Sequence, residues 1–306
     1  MIRFLLSRIV QGIIVIFAVI CITFALSQMV PGGPIRAERN ATPEAIAAQM
    51  AYYGLDQPWY VQLGLQLKHY ATLDLPDSYH YKGRGVDEII ASGFPVSAAI
   101  GIPALLIALM IGVPLGALAA LRPNTLEDRA STLAATLGIC MPSMVLGPLI
   151  AMLFGLKLRW FNVSGWFEPF DWVLPALTLG IIYSAYIARL TRGSLRETLA
   201  QEFIRTARAK GAGETSVIFL HAMKLASLPV LNFLGPAAAG LLTGSFIVET
   251  IFQLPGLGQF FIAAATNGDH QLTIAISAFY AALIVSFNLL VDILQALLNP
   301  RIRLQA

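Results

Sequence analysis

Side chains with ordinary acid–base or metal chemistry are sparse and scattered in this chain. Cys21 and Cys140 both lie in apolar runs, and no Cys or His pair falls at a ligand spacing, so neither a zinc site nor a disulfide staple is expected. No Gly-x4-Gly-Lys-Ser/Thr loop occurs, so nucleotide hydrolysis by this chain is not expected. Catalytic, cofactor-binding and metal-ligating residues are therefore all expected to be absent. The polar residues gather instead in one island, Arg189 to Leu228, centred on Phe203-Ile204-Arg205-Thr206-Ala207-Arg208-Ala209-Lys210-Gly211. The work open to such a segment is mechanical: pressing against a soluble partner.

Glu197 through Arg208 has no proline or glycine and is expected to be one polar helix. Phe203, Ala207 and Lys210 or Gly211 recur near one face at helical spacing. Alanine there permits close approach, and glycine permits a sharp turn. A second short helix is expected over Glu214 to Ala226, closed by Pro229. The two form a helix–glycine–helix hairpin. On pattern alone it reads equally well as an interfacial hairpin whose cations meet anionic headgroups.

The elements that must hold this hairpin are greasy. Of 306 residues, 57% are hydrophobic and 12% charged, against roughly 25% charged in a soluble domain. Apolar runs cover Ile9–Val30, Phe94–Leu121, Ala130–Leu156, Trp172–Ala188, Val230–Ile251 and Leu272–Leu298. Each can span a hydrocarbon core of about 30 Å as a helix, and backbone in lipid must satisfy its own hydrogen bonds. The expectation is an all-α polytopic membrane protein with six transmembrane helices. The first run outlasts a usual signal core and is expected to be an uncleaved span. With both termini inside, Arg3, Arg8, Arg122, Arg129, Arg301, Arg303 and the island's cations all fall in inside segments. The formal charge of +3 then belongs to that face and does not point to nucleic acid.

Three regions follow: 1–30, the N-terminus and first span; 31–93, an outer cap; and 94–306, the remaining spans with the loop 189–228. In the cap, Thr42-Pro43-Glu44 opens a helix that Gly54 ends, and Trp59 to Leu73 gives a second, with Leu63, Leu67 and Tyr70 near one face. Tyr79 to Tyr81 reads as irregular, and Val86 to Ser92 as helical. Pro95, Pro103, Gly112, Pro114 and Gly116 suggest kinks in the second span. Trp160, Phe161, Trp166, Phe167, Phe170 and Trp172 suit the headgroup layer. Charges near the interior are few. Glu249 and Asp292 sit toward the ends of their spans, which argues against an ion relay and for pairing, with Glu249 a gate or partner-contact candidate. Tyr183, Tyr186, Asn232, Ser245, Tyr280 and Asn288 join it as candidates for a wet route.

Glu202-x4-Ala207-x3-Gly211 followed by Leu228-Pro229 resembles the coupling loop of bacterial ATP-binding-cassette importer permeases. That loop begins Glu-Ala-Ala; here Phe203 and Ile204 replace the alanines, as in the peptide-importer branch. The resemblance extends along the chain through Val30-Pro31-Gly32-Gly33-Pro34, Ser92 to Ser97, Ile187 to Ser194, Glu249-Thr250-Ile251-Phe252-Gln253-Leu254-Pro255-Gly256-Leu257-Gly258-Gln259 and Asn299-Pro300-Arg301-Ile302-Arg303. These motifs are similar to those of the dipeptide/oligopeptide/nickel importer superfamily. Tyr79 to Lys82 and the region around Phe94 look most like B-type oligopeptide permease subunits.

The resemblance implies a type I importer permease fold with a small periplasmic cap, in a bacterial inner membrane. It implies a related C-type permease, two ATPase subunits that bind ATP and magnesium, a periplasmic peptide-binding protein and a peptide cargo. Glu202, Phe203, Arg205, Ala207, Arg208, Lys210 and Gly211 would then dock on an ATPase, with Glu202, Arg205 and Arg208 as flanking salt-bridge candidates. Pro255, Gly256, Gly258, Asn267 and Asp269, in or beside the Leu254–Gln271 loop, become candidates for contact with the binding protein. Dipeptides, glutathione or nickel would use the same machinery. An ATP-independent secondary transporter would need mid-membrane ion-coupling residues that the sequence lacks.

Overall fold

A computed structural model describes residues 2–29, 43–81 and 83–298. The Val30–Pro34 and Asn299–Arg303 motifs, Arg36, Arg39, Thr42 and Lys82 lie outside the described residues.

Among the described residues five segments are long and apolar enough to cross a membrane. They are α1 (Ile2–Gln28), α4 (Val86–Leu121), α7 (Val173–Leu199), α11 (Leu228–Leu242) together with α12 (Phe246–Ile251), and α14 (His270–Leu298). The expected third span differs. It is split into α5 (Leu126–Cys140) and α6 (Ser143–Ile150), the latter running on as a π-helical stretch Ala151–Lys157, with a bend of 105° between the two parts. Pro142 supplies no N–H, and it holds Met141 in extended backbone at φ −83° and ψ 115°, so the helix cannot continue. The count reaches six only if this elbow is one crossing.

α4 begins at Val86, so the expected boundary between 93 and 94 falls inside a continuous helix. Its 36 residues carry Pro95, Pro103 and Pro114 without interruption. The glycines thought to mark kinks serve close approach instead. A Cβ at Gly112 would lie 2.6 Å from the Ser184 carbonyl oxygen, and one at Gly116 2.4 Å from that of Ala188. Two small-x3-small faces thus let α4 and α7 touch backbone to backbone, the contact that stabilises helix pairs in lipid. Both helices run in the same direction, from Leu174 beside Val96 and Ile100 at one end to Leu195 beside Ala120 at the other.

The cap contains α2 (Pro43–Tyr52) and α3 (Trp59–Thr72). Gly54 turns the chain at φ +66°, and Leu63, Leu67 and Tyr70 pack on Ile20 and Phe24 of α1 and Ile274 and Ala278 of α14. Residues 79–81 are irregular. At the opposite end Arg8 pairs with Asp292 at 3.0 Å, which places the start of α1 beside the end of α14. In the 160–172 connection the aromatics divide. Trp166 and Trp172 pack on the central cluster, whereas Trp160, Phe167 and Phe170 are exposed.

Candidate functional site

The hairpin lies at the end of the bundle away from the cap. α7 continues through Leu199, so Arg189 to Leu199 extends the membrane helix, and the expected single helix from Glu197 to Arg208 is broken at Ala200 and Gln201. α8 (Glu202–Ala209) follows, then residues 214–226 as α9 (Glu214–Ser216), a π-helical stretch Val217–Ala222 and α10 (Met223–Ala226). Gly211 takes φ +82°, which a side chain rarely adopts. Its N–H donates to the Arg208 carbonyl at 2.9 Å, and the Ala212 N–H donates to that of Ala207 at 3.2 Å, a Schellman ending.

The apolar face of α8 turns inward. Ile204 and Ala207 are buried with Ala120, Leu195, Val217, Ala222 and Ala226, so Ala207 fits the chain's own core and not an outer groove. Ile204, absent from the expected contact set, is the anchor. Phe203 is 39% exposed, and Lys210 and Gly211 are open. The candidate salt-bridge residues pair internally: Arg205 with Glu202 at 3.0 Å, and Arg208 with both Glu214 oxygens at 2.8 and 3.1 Å. What remains outward is a rigid knob with an aromatic tip and a basic rim.

A second site lies near the cap. The Glu249 side chain, expected to pair and a candidate for a gate or partner contact, is closed off at 1% exposure. Its Oε1 accepts from Ser97 Oγ of α4 at 2.7 Å. Its Oε2 also receives the Gln259 N–H at 3.1 Å, in the first turn of α13 (Leu257–Asn267). Ser97 Oγ in turn accepts the Leu257 N–H at 2.9 Å. The helix opens on Gly256, which has no side chain for capping, so Glu249 acts as a remote cap on a positive helix end. A Cβ at Gly244, Gly256 or Gly258 would lie less than 3 Å from this carboxylate, which accounts for the glycines of the Glu249–Gln259 motif.

Of the loop candidates, Pro255 and Asn267 are exposed, whereas Gly256, Gly258 and Asp269 are buried. Asp269 caps α14 through the Leu272 N–H at 3.1 Å and takes the Ser78 hydroxyl and the His80 N–H, so it locks the cap to the bundle. It presents no free surface to a partner. Of the route candidates, Tyr183 packs on Phe233, whose ring lies 6.2 Å from that of Tyr183 and 5.9 Å from that of Tyr186, and Asn232 is the exposed residue before it. Asn232 accepts from Gln295, and Asn288 is exposed on the same helix as Gln295. Ser245 caps α12, and the buried Tyr280 hydroxyl makes no hydrogen bond among the described residues. No group of three or more His, Cys, Asp or Glu able to hold a metal occurs among the described residues.

The family described as binding-protein-dependent transport system inner membrane component matches residues 112–304, and the N-terminal membrane component of such systems matches 1–72. The chain belongs to this family. Curated relatives align along essentially their whole length. The oligopeptide transport system permease protein OppB of Salmonella typhimurium is 42% identical over 99% of this chain and 100% of its own. The dipeptide transport system permease protein DppB of Bacillus subtilis is 37% identical over 99% of each. The fold is shared with solved structures: an amino acid ABC transporter crystallised with histidines (TM-score 0.54, 20% identity, 68% of this chain and 94% of that one) and the inward-facing MetNI methionine ABC transporter (TM-score 0.54, 16% identity, 69% and 96%). This permease is thus an all-α polytopic membrane protein with the fold of an ABC-importer subunit.

Proposed function

We propose that this chain is one permease subunit of an ATP-driven oligopeptide importer of a bacterial inner membrane, with its cap outside and its hairpin and both termini in the cytoplasm. The carrying observation is the knob at the end of α7. Ile204 and Ala207 fasten it to the bundle, while Phe203, Lys210 and Gly211 are exposed to meet an ATPase, beside the exposed Arg205–Glu202 pair. A force applied there enters a helix that runs the depth of the membrane. The basic side chains around the hairpin support a cytoplasmic position by the positive-inside rule.

A related permease subunit would complete the path, and two ATPases would bind ATP and magnesium. Closure of the ATPases would draw the hairpins together and open the helices toward the periplasm. A peptide-binding protein would deliver cargo over the exposed Pro255, Asn267 and the cap. Tyr183, Asn232 and Asn288 are proposed to face the path, where neutral amides and aromatic rings suit a peptide main chain. Peptide cargo is supported by relatives named for oligopeptide and dipeptide transport.

The test is a cysteine at Phe203 or Lys210 in a cysteine-free background, crosslinked in membranes that contain the ATPases. Crosslinking to an ATPase that changes on ATP addition, together with ATP-dependent uptake of labelled trialanine, is expected. Labelling of either cysteine from outside the cell would refute the topology. Uptake of dipeptides or nickel in place of trialanine would redirect the cargo.

A further inference from the structure

We propose that Asp128 and Arg192 form a clutch that makes α5 travel with α7 when the hairpin is pushed; this rests on the ATP-driven reading above. Arg192 Nε donates to Asp128 Oδ1 at 2.6 Å, and Nη2 donates to Oδ2 at 3.1 Å, a two-pronged ion pair between helices. Asp128 is 3% exposed. Its oxygens also take the Asn124 N–H at 2.9 Å and the Thr132 hydroxyl at 3.5 Å, so the carboxylate is held in one direction from four points. One turn back along α7, Arg189 Nη2 donates to Thr136 Oγ1 at 3.1 Å. Beyond that, a Cβ at Gly138 would lie 2.8 Å from the Ala185 Cβ, and Ala135 and Ala188 fill the seam. The contacts follow antiparallel order along the two helices.

Such a fastening adds to a single side-chain bond between α5 and α4 among the described residues, from Ser131 Oγ to the Leu115 carbonyl at 3.2 Å. Much of the outer face of α5 is bare. Leu126, Leu133 and Leu137 are 81%, 61% and 57% exposed. In lipid, apolar surface gives no drive to keep one helix on another, so small-residue packing needs directional polar bonds to fix its register. The pair also sits at a junction. α7 leads into the hairpin after Leu199, whereas α5 leads to the Met141–Pro142 elbow and α6. α6 rests on the C-terminal end of α12, where a Cβ at Gly147 would meet Ile251 at 3.2 Å. Arg192 and Asp128 therefore connect the element that is pushed to the elbow that can fold. Both are positioning residues, since neither faces the proposed path.

The test uses the full complex of this chain with its partner permease, two ATPases and binding protein in liposomes, reading trialanine uptake per ATP hydrolysed. Asp128→Asn should lower that ratio roughly tenfold, the effect of losing one charge-assisted bond, while ATP hydrolysis stays within about twofold. Arg192→Lys, which keeps the charge but not the fork, should fall between. An unchanged ratio with either variant overturns the clutch, including a proportional loss of uptake and hydrolysis. Failure of both variants to assemble also overturns it, because the pair would then be a folding requirement. Uptake that needs no ATP in the unmutated complex would sink the ATP-driven reading itself.

Discussion

Replacing Glu249 separates a structural clamp from a gate. Glu249→Ala removes the acceptor for the Gln259 N–H and for Ser97 Oγ, in a pocket with 1% exposure. The Ser97 hydroxyl can turn, but the Gln259 amide is fixed by the first turn of α13. A buried donor left without a partner costs about 1–3 kcal/mol, so the loss is of that size. Glu249→Gln keeps one acceptor oxygen but turns an amide NH2 toward a donor, at about 1.5–3 kcal/mol. Glu249→Asp is one methylene short of the same partners, and the glycines around it leave no side chain to fill the gap. At roughly 2 °C per kcal/mol for a chain of this size, Glu249→Gln should unfold about 3–6 °C lower. The assay is thermal unfolding of the purified protein in detergent, read by fluorescence of Trp59, Trp160, Trp166 and Trp172, beside uptake by the assembled complex. A variant that melts with the unmutated protein refutes the clamp. If such a variant also loses uptake, the carboxylate serves transport directly.

Three further outcomes follow from the geometry. Gly116→Leu would drive a side chain into the Ala188 backbone, at about 1–3 kcal/mol or more, and should broaden the detergent-solubilised peak on size exclusion; Gly193→Leu on α7, with no atom within 4 Å of its Cβ, should not. Equal profiles would refute close approach as the role of Gly116. Gly211→Asp meets no atom within 4 Å but is strained at φ +82°, a local cost at the turn, so the subunit should still insert, yet ATP-driven uptake should be abolished; unaltered uptake would refute an ATPase contact at that turn. Burial works against the charge of Asp171, but the Glu168 and Phe167 N–H groups and the Asn162 amide outweigh it and hold the carboxyl below the usual range. Its folded pKa is depressed, so its contribution is present above the unfolded value of about 3.9 and lost as pH falls through the folded value. Emission of Trp160, Trp166 and Trp172 in a Trp59→Phe background should therefore stay constant above pH 5 and shift only in strong acid, and a shift near neutrality would refute this.

Local pattern determined a good deal about this protein. Five apolar runs became membrane-length segments because hydropathy and helix length are properties of contiguous residues. The breaks at Gly54, Gly211 and Pro229 were legible for the same reason, since φ preference and a missing N–H act within one turn. The Glu202–Gly211 spacing marked the hairpin.

Direction was another matter. The spacing put Phe203 and Ala207 near one face, but only packing showed that Ala207 turns inward with Ile204 while Phe203 stays out. Pro142 was visible in the 130–156 run, yet composition does not distinguish a kink from a bend of 105°. Thr125 followed by Asp128 is a legible capping pattern, but the partner of Asp128 lies 64 residues away. Pairing of Glu249 was legible because a lone charge in an apolar run is costly, with a gate as the lesser reading. Its partners were not: Ser97 and the Gln259 N–H reach it only when α4, α12 and α13 meet. A sequence fixes which residues can form helices and carry charge, because those are short-range properties. Where a side chain points and what neutralises it are decided by contacts between distant segments, which exist only in the folded bundle.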